Sequence, residues 1–89
     1  MKGGDEALLD AATAARRRLL WHCRRGMKEL DLLLTRFATE RYPHATPAQQ
    51  LAFEAFLELP DPEISDYVMG YVVSQEPERA ALVQAILGA

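Results

Sequence analysis

Five prolines and two internal glycines cut this chain into short pieces. Pro43, Pro47, Pro60, Pro62 and Pro77 all lie after residue 42, and Gly26 and Gly70 adjoin apolar, helix-period runs. Proline inside a helix removes a hydrogen bond and collides with the preceding turn. Glycine costs a helix interior roughly 1 kcal/mol relative to alanine. Between these breaks, apolar residues recur at steps of three and four. Strict alternation holds over no useful length, and β-branched residues are scarce outside "YVMGYVV". The pattern specifies helices, and the expected fold is all-α, a compact antiparallel bundle of five helices with short connections. "YVVSQ", Tyr71–Gln75, is the one stretch that reads alternatively as a short strand, but an isolated strand would have no partner.

The punctuation also places the helix ends. A first helix is expected from about Asp5 to about Cys23, with Leu8, Ala11, Ala12, Ala15, Leu19 and His22 along one side. A second should start near Gly26 and end near Tyr42, because a residue before proline is pushed out of helical geometry. Its apolar stripe is Met27, Leu30, Leu34, Phe37 and Ala38. Thr46, Pro47 and Gln49 form a capping-box start for a third helix, whose buried side is expected to be Leu51, Phe53, Ala55, Phe56 and Leu59. Asp61 then reads as the N-cap of a fourth, with Pro62 first inside it, Glu63 favouring the positive helix end, and Gly70 as the stop. The last helix is expected from about Glu76 to Leu87, with Ala81, Leu82, Ala85 and Ile86 inward.

With 89 residues, the chain has the length of one domain, expected over residues 1–89 with residues 1–14 as an N-terminal extension of the first helix. A domain of this size buries only about 60–65% of its unfolded surface. That leaves little room for a deep cleft with a supporting layer, and argues against an enzyme. The net charge of −3 lacks the basic excess usual in nucleic-acid binders. The one basic run, Arg16 to Arg18, points three ways on a helix and makes no single patch. Neither nucleic acid nor membrane insertion is expected, since no apolar run approaches the roughly 20 residues that span a bilayer. The single cysteine, Cys23, cannot form an internal disulfide, and the opening residues lack the apolar core of a secretion signal. A reducing, cytoplasmic location follows as the expectation.

The chemistry-bearing residues are few. His22 and Cys23 are adjacent, His44 is remote, and no metal-ligand spacing repeats. Cys23 with His22 would lack a third, orienting group as a nucleophilic pair. Tyr67, Met69 and Tyr71 read as core, and no glycine-rich phosphate loop is present, so neither a metal nor a cofactor is expected. The informative stretch is "RRGMKELDLLL". At about 100° per residue, Arg25, Glu29, Leu32 and Arg36 cluster opposite the apolar stripe. Each has an ordinary explanation: a helix ion pair between Arg25 and Glu29, a macrodipole preference for Glu29, a bend at Gly26, a stray surface leucine. Together they describe a docking surface, in which Gly26 admits a neighbouring backbone and Arg25 and Glu29 bond to it. An exposed face of this kind does not supply the cleft that acid–base catalysis needs.

"WHCRRGMKELDLLL", the later "LPDPEISDYVMG" and the chain length resemble the SdhE family, also called succinate dehydrogenase assembly factor 2 or flavinator proteins. The resemblance covers roughly Arg18 to Leu87. Its Arg-Gly-x-x-Glu signature matches Arg25, Gly26 and Glu29, followed by Leu30 and Asp31. It departs at Tyr67, where the family most often has tryptophan. The resemblance implies a five-helix assembly chaperone that is not itself an enzyme. Its implied partner is the flavoprotein subunit of succinate dehydrogenase, with that of fumarate reductase as a second candidate, and it promotes covalent FAD attachment there; the alternative reading is a generic helical protein-interaction module with another partner. It implies partner contacts at Arg25, Gly26 and Glu29. Leu32 and Arg36 are added to the patch from helix geometry.

Overall fold

A computed structural model describes residues 13–88. Among the described residues the chain is all-α, a bundle of five helices. Helix α1 covers residues 13–22 of the described chain. Helix α2 is Lys28–Glu40, a single 3-10 turn covers Tyr42–His44, α3 is Pro47–Leu57, α4 is Asp61–Met69 and α5 is Pro77–Gly88. The expected start near Asp5, with Leu8, Ala11 and Ala12, lies outside the described residues. Helix α5 packs against α2, α3 and α4, and so closes the bundle.

The helix ends follow local chemistry. Helix α3 opens on the expected capping box: the Gln49 N–H donates to Thr46 Oγ1 at 3.2 Å, and the Thr46 N–H donates to Gln49 Oε1 at 2.9 Å. Helix α4 stops at Gly70, whose φ of +83° is left-handed. The Tyr71 N–H then reaches back to the Asp66 carbonyl at 2.9 Å, satisfying a carbonyl that the helix end would leave open. Helix α2 is shorter than expected at both ends. Gly26 and Met27 precede it in non-helical backbone, and Pro43 turns the chain into the 3-10 segment two residues after Glu40. At α4 the expectation of an Asp61 cap is corrected. Pro60 occupies the N-cap position without a side-chain bond, Asp61 is already the first helical residue, and its carboxylate faces Arg25.

The core is one continuous cluster. Phe53, Phe56, Leu34, Ile64, Ile86 and Cys23 are enclosed completely, and the Phe37 and Phe53 rings meet with centroids 4.6 Å apart. Leu19 and Leu20 of α1 and Tyr67 of α4 pack against this cluster from its edge. Several residues expected inside lie outside. Leu51 is 66% exposed, and Ala55 is exposed beside it. These two sit one turn apart, on the side of α3 opposite Phe53 and Phe56, because residues two apart on a helix cannot share a face. Met27 is exposed because it precedes the helix, and Ala15, His22 and Ala81 are exposed as well. Met69 and Tyr71 are surface residues: α4 turns Ile64 and Val68 inward and leaves Met69 outside, and the left-handed turn at Gly70 carries Tyr71 out of the core. No strand forms at Tyr71–Gln75; Val72 and Val73 lie exposed in irregular backbone.

Candidate functional site

The turn between α1 and α2 holds the Arg-Gly-x-x-Glu residues. Helix α1 ends with the N–H groups of Cys23 and Arg24 bonded to the carbonyls of Leu20 and Trp21, at 3.1 and 3.0 Å. The chain must then reverse before α2. Gly26 makes the reversal at φ +78°, a backbone conformation that costs an L-residue with a Cβ roughly 1–2 kcal/mol. A Cβ built on Gly26 would meet nothing within 4 Å. Its own fold therefore requires a glycine for backbone conformation and leaves the space above it open.

Asp31, in the first turn of α2, fastens this reversal. Its Oδ1 accepts the Arg25 N–H at 2.7 Å, and its Oδ2 accepts the Gly26 N–H at 3.2 Å. Bonds to an ionised acceptor are about twice as strong as neutral ones, so one carboxylate fixes both peptide units. The Arg25 side chain is thereby aimed across the bundle. Its Nη2 donates to the Leu57 carbonyl at the end of α3, and its Nη1 lies 3.4 Å from Asp61 Oδ1 at the start of α4. One guanidinium thus joins the α1–α2 turn to the α3–α4 corner. The Arg25 Nε is buried without a partner, and the side chain is only 18% exposed.

This geometry divides the expected stripe. Glu29 is exposed, and Leu32 is 64% exposed. Arg25 is not on α2 at all, so it cannot form the i,i+4 helix pair with Glu29. Arg36 also turns inward to the bundle end: its Nη2 donates to the carbonyls of Leu87 at 3.3 Å and Ile86 at 3.5 Å. A cation there satisfies carbonyls at the negative end of α5. Sequence reasoning missed Asp31, Leu57 and Asp61 as the supports of the turn. It also missed a groove of about 220 Å³ beside Glu29, walled by Met27, Leu30, Leu33, Val68 and Met69. Its walls are apolar, and its two methionines are flexible side chains that adapt to varied surfaces.

Cys23 lies under the same turn, fully enclosed, and burial pushes its thiol up to about 11 despite the nearby Arg25 charge. A thiol held protonated is a poor nucleophile. Among the described residues no three His, Cys, Asp or Glu side chains gather as metal ligands. His44 lies with Glu40, Arg41 and Glu78 around a cavity of about 460 Å³ whose floor is Phe37, Ala52, Leu82 and Ala85. No helix among the described residues is long and apolar enough to cross a membrane.

Comparison with known proteins decides what this turn belongs to. Residues 17–89 match the model of the family described as "Flavinator of succinate dehydrogenase". The chain belongs to that family. A relative from Colwellia psychrerythraea, named FAD assembly factor SdhE, is 44% identical over 70 residues, covering 79% of this chain and 77% of its own. A relative of the same name from Coxiella burnetii is 36% identical over 72 residues, covering 81% and 88%. Another from Idiomarina loihiensis is 33% identical over 87 residues, covering 98% and 91%. The family match therefore takes in the whole Arg25–Gly26 turn, the Glu29 face and the α3–α4 corner that holds them.

Proposed function

We propose that this chain is an assembly chaperone for the flavoprotein subunit of succinate dehydrogenase, which it docks to promote covalent attachment of FAD. The observation that carries the reading is the fastened turn. Asp31 and Arg25 hold Gly26 in a left-handed reversal with open space above it, while Glu29 and Leu32 face outward beside an apolar groove. A rigid, exposed, mixed polar and apolar feature suits recognition, because little ordering is left to be done on binding. In this reading Gly26 admits the client's backbone, Glu29 bonds to it, and Leu32 widens the contact. Arg25 and Arg36 shape the patch while bound to their own chain. The fumarate reductase flavoprotein is a further client on the same reading.

The protein is not an enzyme in this account. FAD and its target histidine belong to the client, and the bond forms between them. The chaperone supplies position: holding the client so that histidine and flavin methyl group meet in a reactive geometry can lower a barrier by several kcal/mol. A single cysteine, Cys23, that forms no internal disulfide suits a reducing compartment, and the cytoplasm is where the client would be met.

The test uses a strain lacking its own copy of this chain. Restoring the chain should restore flavin fluorescence to the denatured flavoprotein band, and the tagged chain should capture that subunit. Glu29→Arg should fold normally and do neither. Full covalent flavin without the chain, or no capture by the wild type, would overturn the reading.

A further inference from the structure

The outer face of α1 adjoins the Gly26 turn and carries a different chemistry. Six of the chain's ten basic residues fall between Arg16 and Lys28, and no acidic residue lies between Ala11 and Lys28, although the whole chain is acidic. The structure sorts these cations. Arg18 and His22 turn toward α3, lining a hollow with Glu54 and Glu58. Arg25 turns inward to Leu57 and Asp61. Arg17 and Trp21 lie one turn apart on the same outward side of α1. Arg24 completes the row, its guanidinium over the indole at 5.8 Å from the ring centroid. Trp21 is 68% exposed. Among the described residues the one ion pair is Arg25–Asp61, so neither Arg17 nor Arg24 is neutralised by a carboxylate there. A large aromatic held outward between two cations adds little to the core of its own fold.

We propose that Arg17, Trp21 and Arg24 form a second docking surface, which takes an acidic surface of the same flavoprotein client. The proposal rests on the reading of the preceding subsection. Two observations choose this occupant. The face is cationic on an anionic protein, so its complement is an acidic patch. It is also continuous with the Gly26 turn, because Arg24 is next to Arg25 in the chain; a client seated on Gly26 and Glu29 already lies against it. Tryptophan and arginine are the residues most enriched among those that dominate binding energy at interfaces. Complementary charge acts chiefly on encounter, raising association rates by factors of about 10 to 1,000 at low salt. The α1 face therefore steers the client in, and the Gly26 turn holds it.

The experiment measures association and dissociation of the full chain with the purified flavoprotein subunit at several salt concentrations. It compares the wild type, Arg17→Glu with Arg24→Glu, and Trp21→Ala, each checked for a native helical spectrum. The charge reversal should slow association about tenfold or more at low salt, with the difference vanishing at high salt, where charges are screened. Its dissociation rate should change little. Trp21→Ala should speed dissociation. The single tryptophan, replaced biosynthetically by 5-fluorotryptophan, gives one fluorine resonance from this face, which should shift when client is added. A wild type that binds while its fluorine resonance stays still, or a charge reversal with unchanged association, would overturn the second surface and leave the chaperone reading intact. Equal binding to random-sequence DNA or to anionic vesicles at the same salt would overturn the assignment to an acidic protein. A wild type that does not bind the flavoprotein at all would bring down both readings.

Discussion

Asp31 is the residue on which the turn depends. Replacing it with alanine leaves the Arg25 and Gly26 N–H groups without their charged acceptor, a loss of about 1–3 kcal/mol that urea unfolding should register. Asparagine keeps one acceptor oxygen and should lose less. Gly26 gives a second test at this scale. Its positive φ makes Gly26→Ala costly by about 1–2 kcal/mol, and Gly26→Asn cheaper, because asparagine tolerates the left-handed region. Gly26→Arg should then remain folded, since a domain commonly holds 5–15 kcal/mol in reserve, yet fail to capture the flavoprotein. If Gly26→Asn and Gly26→Arg bind equally well, the open space above the turn is not used. Cys23 sets a pH window. Its thiol is raised from 9.0 to about 11 in the folded chain, so above pH 9 the unfolded chain loses a proton that the folded chain keeps. Stability contributed by this group is complete below pH 9 and falls as pH rises toward 11. Cys23→Ala should remove that slope, measured as the melting temperature against pH. The sequence made Gly26 and Glu29 visible through spacing. It could not reveal that Arg25 reaches Leu57 and Asp61, because those partners lie 32 and 36 residues away and no local period encodes them.

The helices show which start signals were legible and why. Thr46, Pro47 and Gln49 give a start that is wholly local, and the structure forms it as read. Asp61 and Pro62 resemble the same signal, but Pro60 precedes them and takes the N-cap position, which turns the carboxylate toward Arg25. The two sites should therefore respond differently. Thr46→Ala should cost about 0.5–2 kcal/mol through loss of the cap. Asp61→Ala removes one partly exposed ion pair and should cost no more than about 1 kcal/mol. Thermal unfolding of the two variants side by side checks the order, and a larger loss at Asp61 would show that its bond to Arg25 matters more than its length suggests. Leu51 and Met69 were misread for a common reason. Composition suggests that a leucine or methionine is buried, but only register decides, and register is set in α3 by the larger rings of Phe53 and Phe56 and in α4 by Ile64 and Val68.

At the scale of the whole molecule, residues near one another on the Gly26 side divide into those that hold the fold and those that face out. Arg25→Glu should lower both the melting temperature and client capture, whereas Glu29→Arg should leave the melting temperature unchanged and abolish capture. Equal melting temperatures for the two variants would mean that the Arg25 clasp adds nothing to the bundle. The clasp also bears on the order in which the molecule comes together. Contacts between distant parts of a chain form only after the long loop between them has closed. The guanidinium finds the Leu57 carbonyl and Asp61 only when α3 and α4 have already turned their corner. The clasp is thus among the last contacts to form during biosynthesis, and in a half-made copy the turn that Asp31 fastens is not yet tied to the α3–α4 corner. Seating of the docking turn against the bundle is thereby coupled to completion of the fold.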